Sequence, residues 1–246
     1  MKQFRFIALV IFLLLVIAVL MLCGLYFLFS KPQHIKAQTT AKKTQTIVLD
    51  CGHGGPDGGA VGADGTLEKD INLSLGFALR EILLQNGYTV VMTRETDDFI
   101  CDDHSASLRE QNVSDLHNRL KIAESYPDSV FISLHMNNFS QKQYWGSQLF
   151  YSPNHPNSRV LAEAIRSRLV QSVQKGNERA LKQMDSSVYI IYRATHPALL
   201  LECGFMSNQK ELNRFKDKKY RSNFAFAVFL GINDYLTGEN DGEKQH

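Results

Sequence analysis

The chain reads TIVLDCGHGGPDGGAVGADGTLEKDINL from Thr46 to Leu73, and this stretch predicts the fold class. Thr46–Cys51 is a short, almost continuous apolar run, which is typical of a strand buried on both faces. Glycines follow it and allow tight turns. From Glu68 to Asn86 the apolar residues recur at helical spacing, and Gly87 ends the predicted helix. A buried strand that leads through a turn into a helix indicates an α/β protein.

The same alternation continues along the chain. Further strands are predicted over residues 88–94, 129–134, 146–152, 187–192 and 198–201. Further helices are predicted from Ser114 to Tyr126 and over residues 157–175, 208–215 and 220–236, with a long loop over 95–113. We therefore expect one α/β domain over residues 46–238, with a mostly parallel, twisted sheet of about six strands and helices on both faces. Residues 239–246 form a polar tail.

The N-terminal residues predict a membrane segment. Lys2 and Arg5 precede an uncharged apolar run of 24 residues, Phe6–Phe29. As a helix, this run would span about 36 Å, which exceeds a bilayer core of about 30 Å. We therefore expect a transmembrane anchor over residues 1–30 and a linker over residues 31–45, with the remainder outside the cytoplasm. Cleavage near Ala37 or Ala41 would instead release a secreted protein, and the sequence leaves both outcomes open.

The charge distribution excludes one class of partner. Lys and Arg together number 27, and six of them precede residue 45. The rest of the chain therefore has 21 basic and 25 acidic residues. A net charge of −4 on the predicted domain argues against nucleic-acid binding, which requires a basic patch. The four cysteines have no CxxC spacing, so a cysteine-ligated zinc site is not expected.

Four chemically competent side chains are predicted at one edge of the sheet. His53, His135 and Glu202 each follow a strand, and Glu68 opens the first helix. In parallel sheets, ligands bind at the carboxyl ends of the strands. Zinc accepts imidazole and carboxylate ligands, and a catalytic zinc site keeps one position open for water. A further carboxylate can move the proton of that water. The residues alone leave open that the histidines are packed or exposed side chains.

Several motifs carry a family resemblance. The chain resembles the zinc-dependent N-acetylmuramoyl-L-alanine amidases in four segments. They are Ile47–Leu73, Leu116–Ala123 with Arg119, the strand FISLHMN and the segment PALLLECGFMSN. The resemblance implies that His53, Glu68 and His135 bind one Zn²⁺ per chain and that Glu202 is the catalytic carboxylate. It also implies a peptidoglycan substrate, cleaved at the amide between the lactyl group of N-acetylmuramic acid and L-alanine.

The length of one loop narrows the resemblance. Only ten residues, Met136–Trp145, separate His135 from the next predicted strand, so the helical insertion of autoinhibited family members has no room here. The short chain with an apolar leader is similar to the germination-specific amidases of endospore-forming bacteria. This implies a role in forming muramic δ-lactam in spore cortex, with a cortex-modifying deacetylase or an activating protein as partner. The implied location is the space between the forespore membranes.

Some alternatives stay open at this stage. Cys51 stands where the family usually has proline, and Cys203 follows Glu202; the two are either small buried residues or a disulfide. Asp50 and Asp57 flank His53, and either could orient its ring. A zinc peptidase that cuts within the stem peptide, or a partner-dependent wall-binding protein, would fit the same residues.

Overall fold

The computed structural model describes residues 14–22 and 45–238. The chain divides into two units, Met1–Lys42 and Lys43–His246, and in the first unit residues 14–22 are helical. Across the described ranges, no helix combines the length and the apolar content needed to cross a bilayer. Most of the predicted anchor over 1–30, nearly all of the linker over 31–45 and the tail over 239–246 lie outside the described residues, so these three segments stay predictions.

The second unit is built on a six-stranded sheet with the strand order β2-β1-β3-β6-β4-β5. The strands are β1 Thr46–Cys51, β2 Thr89–Met92, β3 Val130–Asn137, β4 Gln148–Tyr151, β5 Lys182–Gln183 and β6 Ala198–Phe205. β2, β1, β3 and β6 run parallel, whereas β4 runs antiparallel to β6 and parallel to β5. The prediction of a mostly parallel sheet of about six strands is confirmed.

Helices cover both faces of this sheet, as predicted. They are α1 Glu68–Gln85, α2 Leu108–Glu124, α3 Asn157–Ser172, α4 Tyr189–Arg193, α5 Gln209–Lys216 and α6 Lys218–Thr237. The larger core lies between the sheet and helices α1, α3, α5 and α6. The smaller core lies on the opposite face, beneath α2 and α4. The continuous apolar character of the central strands thus reflects burial on both sides.

Two predicted elements differ from the structure. The segment 187–192 is not a strand, because Ile190 and Ile191 are buried in the short helix α4; the sixth strand is β5 instead. A short apolar run does not by its periodicity distinguish a strand from a helix. Helix α2 begins at Leu108 rather than after Ser114, because Ser107 and Glu110 form a reciprocal capping box. Its buried residues include Asp115 and Arg119, so a search for an apolar stripe misses its first two turns.

The register of the central strands positions the site. His135 and Glu202 lie within β3 and β6, not beyond their ends, and the two residues are paired. Glu202 is in turn paired with Gln148 on β4. Directly paired residues project from the same face of a sheet, and this face is the one covered by α2 and α4, since Leu200 and Phe131 pack there.

Candidate metal and catalytic site

Three of the four predicted residues form a compact cluster. Glu68 Oε1 lies 3.2 Å from His53 Nε2 and 3.0 Å from His135 Nδ1. One ligand atom from each residue lies within 4.8 Å of the others. The two imidazole rings meet edge to face, with their centroids 4.9 Å apart. The loop after β1, the first residue of α1 and the end of β3 thus supply a donor set of two imidazoles and one carboxylate.

Glu68 is fixed by backbone donors as well as by the histidines. Its Oε1 accepts a hydrogen bond from Met136 N at 2.9 Å, and its Oε2 accepts one from Ala60 N at 2.8 Å. Burial raises the pKa of Glu68, but the hydrogen bonds from His135 and His53 outweigh it, so the pKa lies well below its usual range. The carboxylate is therefore ionised at neutral pH, as a metal ligand must be.

His53 is held in an uncommon backbone conformation. Its φ is 63°, the one positive φ among the described non-glycine residues. Such residues occupy the left-handed region at a cost of about 1–2 kcal/mol. Arg119 Nη2 donates to His53 O at 2.8 Å, and Arg94 donates from Nε to Cys51 O at 2.8 Å and from Nη2 to Gly52 O at 3.2 Å. Two buried arginines therefore fix three successive carbonyls of this loop.

Asp57 orients the imidazole of His53. His53 Nδ1 lies 2.8 Å from Asp57 Oδ2. An N–H at Nδ1 leaves the lone pair of Nε2 directed towards Glu68 and His135. Burial lowers the pKa of His53, yet the hydrogen bonds to Asp57 and Glu68 raise it to about 10. Metal binding at Nε2 would therefore displace a proton.

The other flanking carboxylate has a different role. Asp50 accepts hydrogen bonds from Arg119, Ser133 and Thr93, at 2.7, 2.6 and 2.8 Å. Burial raises the pKa of Asp50, but the Arg119 guanidinium and the Ser133 hydroxyl hold it below its usual range. Asp50 thus anchors Arg119 rather than the ring of His53, which settles the choice between Asp50 and Asp57 that the sequence left open.

Two glycines allow the imidazoles to approach the backbone. A Cβ on Gly52 would lie 2.2 Å from Cε1 and Nε2 of His135. A Cβ on Gly59 would lie 2.6 Å from His53 Cδ2, and Gly59 also has a φ of 65°. The His135 ring thus lies directly over Gly52, the residue after β1, in space that any larger residue at position 52 would fill.

Glu202 lies beside this cluster as a buried carboxyl group. It is paired with His135 on the neighbouring strand. Its Oε2 is buried and has no hydrogen-bond partner among the described residues. Burial raises the pKa of Glu202 to about 7, and His135 lowers it only in part. A carboxyl group with a pKa near neutrality can both accept and donate a proton at physiological pH.

A cavity of about 290 Å³ joins these residues. His53, His135 and Glu202 lie on its polar side, and the apolar wall is formed by Leu116, Val188, Ile190 and Leu200. Sequence reasoning did not assign this wall, and it predicted Val188 and Ile190 in a strand, whereas Ile190 lies in α4. Asp115, which binds Arg119 Nε at 2.5 Å and also lines the cavity, was missed too. The sequence signal that could have identified Asp115 is its spacing of four residues from Arg119 on one helix.

The cysteines beside the site are free thiols. Cys51, Cys101 and Cys203 are buried and unpaired. Cys51 and Cys203 lie on β1 and β6, which are separated by β3. Burial raises the pKa of Cys51 to about 12 and also raises that of Cys203. The disulfide hypothesis is therefore wrong for this structure, and both residues serve as small core side chains.

The donor set fits a divalent metal such as zinc. Two neutral imidazole nitrogens and one carboxylate oxygen are the ligands of an open catalytic zinc site. One imidazole has the supporting carboxylate that metal-binding histidines usually have. Glu202 Oε2, beside these ligands, has no hydrogen-bond partner within the described ranges, as expected for a group that binds water or substrate.

Comparison with known proteins agrees with this geometry. The model of the Amidase_3 family, described as N-acetylmuramoyl-L-alanine amidase, matches residues 47–234. The chain belongs to this family. It is an enzyme of that type, an N-acetylmuramoyl-L-alanine amidase acting on peptidoglycan.

Individual relatives support the same assignment. The chain is 31% identical over 213 residues to the germination-specific N-acetylmuramoyl-L-alanine amidase of Bacillus subtilis, a match that covers 87% of this chain and 89% of that protein. It is 37% identical to the CwlD amidase of Clostridioides difficile, solved in complex with the GerS lipoprotein, with a TM-score of 0.76 over 79% of this chain and all of that chain (100%). The catalytic domain of CwlV from Bacillus (Paenibacillus) polymyxa var. colistinus gives 28% identity and a TM-score of 0.66, over 79% of this chain and 99% of that domain.

Proposed function

We propose that this amidase is zinc-dependent, with His53, Glu68 and His135 as the three ligands of one Zn²⁺ and Glu202 as the catalytic carboxylate. The observation that carries the proposal is the convergence of the first three side chains, with ligand atoms within 4.8 Å of one another, beside the buried Glu202. Zinc, when bound there, supplies a Lewis acid that polarises a carbonyl and acidifies water.

The protein's own groups perform the remaining steps. Glu202 accepts a proton from the attacking water and returns it to the nitrogen of L-alanine as the amide bond breaks. Its pKa of about 7 suits both transfers, since the group is neither fully protonated nor fully ionised at neutral pH. The apolar wall opposite, with Leu116 and Ile190, limits competing water around the carboxylate.

The biological setting we propose is the spore cortex. The support is the similarity over most of both chains to the germination-specific amidase of Bacillus subtilis. Removal of stem peptides there would precede muramic δ-lactam formation, with a cortex-modifying deacetylase acting on the same substrate. The CwlD amidase of Clostridioides difficile was solved with a lipoprotein, which supports a partner protein for this chain as well.

We also propose the domain organisation and location. The catalytic domain covers residues 46–238, and residues 1–30 act as an anchor or a signal segment, joined to the domain by the linker over 31–45. The support is the uncharged run of 24 residues after Arg5. The enzyme would then act outside the cytoplasm, between the forespore membranes, either anchored or released.

Product analysis tests the chemistry. The full-length protein is incubated with cortex-type and with vegetative peptidoglycan, and it should release peptides from at least one of the two. Mass spectrometry should find that each released peptide has a free L-alanine amino terminus. Chelation should abolish the reaction, and added zinc should restore it. Peptides cut within the stem would instead indicate a zinc peptidase.

A variant tests the role of Glu202. Glu202→Gln should lose activity by about 10²–10⁴-fold, as expected for the loss of a general acid–base group, while its zinc content stays at one per chain. Full activity in this variant would contradict the catalytic assignment. Loss of zinc together with activity would show that Glu202 is instead required for metal binding.

A further inference from the structure

A second cavity lies on the same face of the sheet as the catalytic site. Its volume is about 290 Å³, and its walls include Tyr144, Gln148, Phe150, Arg179, Lys182 and Phe205. We refer to these six residues as the aromatic–cationic groove. Sequence reasoning assigned no role to any of them.

The strand register places this groove beside Glu202. Gln148 and Phe150 on β4 are the direct partners of Glu202 and Leu200 on β6. Direct partners in an antiparallel pair project from the same face. Glu202 and Leu200 line the catalytic cavity, and their partners line the groove. The groove is thus one strand away from the catalytic carboxylate.

The groove carries two cations and no acid. The Arg179 guanidinium lies 4.6 Å from the ring centroid of Phe205 and 5.3 Å from that of Tyr144, and Arg179 Nε donates to Trp145 O at 3.0 Å. Lys182 Nζ lies 5.8 Å from the ring centroid of Phe150. Among the described residues, neither cation forms a salt bridge or a hydrogen bond with a carboxylate. Glu211, which does not line the groove, interacts electrostatically with Arg179. The terminal nitrogens of both side chains can therefore bind an anion.

The rings also fix the direction of the guanidinium. Stacking against aromatic faces pre-organises an arginine and leaves its terminal N–H groups free for an oxyanion. Arg179 has this arrangement, since its Nε donates to Trp145 O and its terminal nitrogens have no hydrogen-bond partner within residues 14–22 and 45–238. Arginine frequently binds a carboxylate through two parallel N–H···O bonds, and the lysine nearby adds a second positive charge.

We propose that the aromatic–cationic groove binds a carboxylate of the stem peptide, with Arg179 and Lys182 as the recognition residues. This inference rests on the proposed function, in which the amide beside L-alanine is cut next to Glu202. The sugar side of that amide offers mainly hydroxyl and amide groups, whereas a peptide carries free carboxylates. Charge complementarity therefore assigns the groove to the peptide side.

The geometry limits which carboxylate can reach the groove. Neighbouring strands lie about 4.8 Å apart, so Lys182 on β5 is about 10 Å from the line of β6. An extended peptide covers about 3.3–3.6 Å per residue. The recognised carboxylate therefore belongs to the first three or so residues of the stem peptide.

A pair of matched substrates tests the proposal. One is a muramyl peptide with free peptide carboxylates, and the other is the same compound with those carboxylates amidated. The zinc-loaded, full-length wild type should prefer the free acid in kcat/KM by about tenfold, which corresponds to about 1.4 kcal/mol. In the double variant Arg179→Gln and Lys182→Gln the ratio should fall close to one. Calorimetry should show the same pattern for the released peptides. The wild type should bind the peptide with free carboxylates more tightly than the amidated peptide, and this difference should almost disappear in the double variant.

The control is Lys175→Gln. Lys175 is exposed and lines a separate cavity of about 820 Å³, so its removal changes the total charge but not the groove. The control should keep the wild-type ratio, and the single variant Lys182→Gln, at an exposed position, should lower the ratio without a change in Tm. An unchanged ratio in the double variant, with both substrates still cleaved, would overturn the inference alone. If the wild type cleaved neither substrate, the proposed function and the inference would both fail.

Discussion

Replacement of Gly52 by alanine should separate metal binding from folding. A Cβ at this position would lie 2.2 Å from two ring atoms of His135, whereas ordinary contact begins at 3.4 Å. The ring, or the backbone at position 52, must therefore move by about 1.2 Å. Gly52 does not have a positive φ, so the backbone conformation itself suits alanine.

The displacement is large on the scale of metal coordination. Ligand distances in metal sites vary by only about 0.2 Å. A shift several times greater should lower zinc affinity by at least the 10–100-fold typical of losing a residue that hydrogen-bonds a metal ligand, or roughly 1.4–2.8 kcal/mol. Overpacking should also destabilise the fold, by about 1–3 kcal/mol. The variant should therefore fold but bind zinc weakly.

Zinc affinity can be measured by competition with a fluorescent chelator, and folding by near-UV circular dichroism of the metal-free protein. Gly58→Ala is the matched control. Gly58 belongs to the same loop, and a Cβ there would lie 3.4 Å from Leu67 Cδ2, an ordinary contact. If Gly52→Ala bound zinc within threefold of Gly58→Ala, the close approach of His135 to Gly52 would have no role in metal binding.

Three further predictions concern single side chains. Asp57→Asn removes the carboxylate that orients His53 and should lower zinc affinity by about 10–100-fold. The control is Asp103→Asn, at an exposed position whose carboxylate binds Ser105, and an equal loss in chelator competition with this control would contradict the prediction. His196 is buried, and burial lowers its pKa to about 4. As the pH falls below 6.5, His196 therefore binds a proton in the unfolded chain but not in the folded protein. The free energy of unfolding of the wild type should therefore decrease between pH 6.5 and about 4, by up to about 3 kcal/mol. In urea titrations at both pH values, His196→Leu should lack this part of the decrease. An equal pH dependence in the two proteins would contradict the prediction. Ser107→Ala should destabilise the fold by about 1 kcal/mol through loss of the capping box, and an unchanged urea midpoint would refute that.

The sequence predicted the parts of the fold that follow from local pattern. β1 and α1 begin and end within a residue or so of their predicted bounds, because a continuous apolar run and a helical stripe are strong signals. The residues of the candidate site were predictable for a related reason. His53 follows β1, Glu68 opens α1 and His135 lies near the end of β3. Parallel strands bring their carboxyl ends to one edge of the sheet.

The remaining features depend on contacts between distant segments. Nothing local distinguishes Asp57 from Asp50 as the partner of His53; the choice is made by Arg119, which lies 69 residues from Asp50 in the chain and binds it. The two residues of β5 pair with β4 and have no sequence signal of their own. The aromatic–cationic groove likewise depends on the pairing of β4 with β6, which places Gln148 beside Glu202.

The two faces of the sheet are specialised in different ways. The larger core, under α1, α3, α5 and α6, is almost wholly apolar. The face under α2 instead buries Asp50, Ser133, Asp115 and Arg119 together. A buried ion pair is weak evidence for stability, since well-packed apolar residues of similar volume often serve as well or better. Stability therefore does not explain why this network is polar.

The carbonyl groups of the His53 loop do explain it. Arg119 donates to Cys51 O and His53 O, and Asp50 and Asp115 hold that guanidinium in position. An apolar replacement could fill the same volume but could not hold His53 at a φ of 63°. The network thus maintains one strained residue at the edge of the sheet, and that residue is the one whose imidazole must face Glu68 and His135.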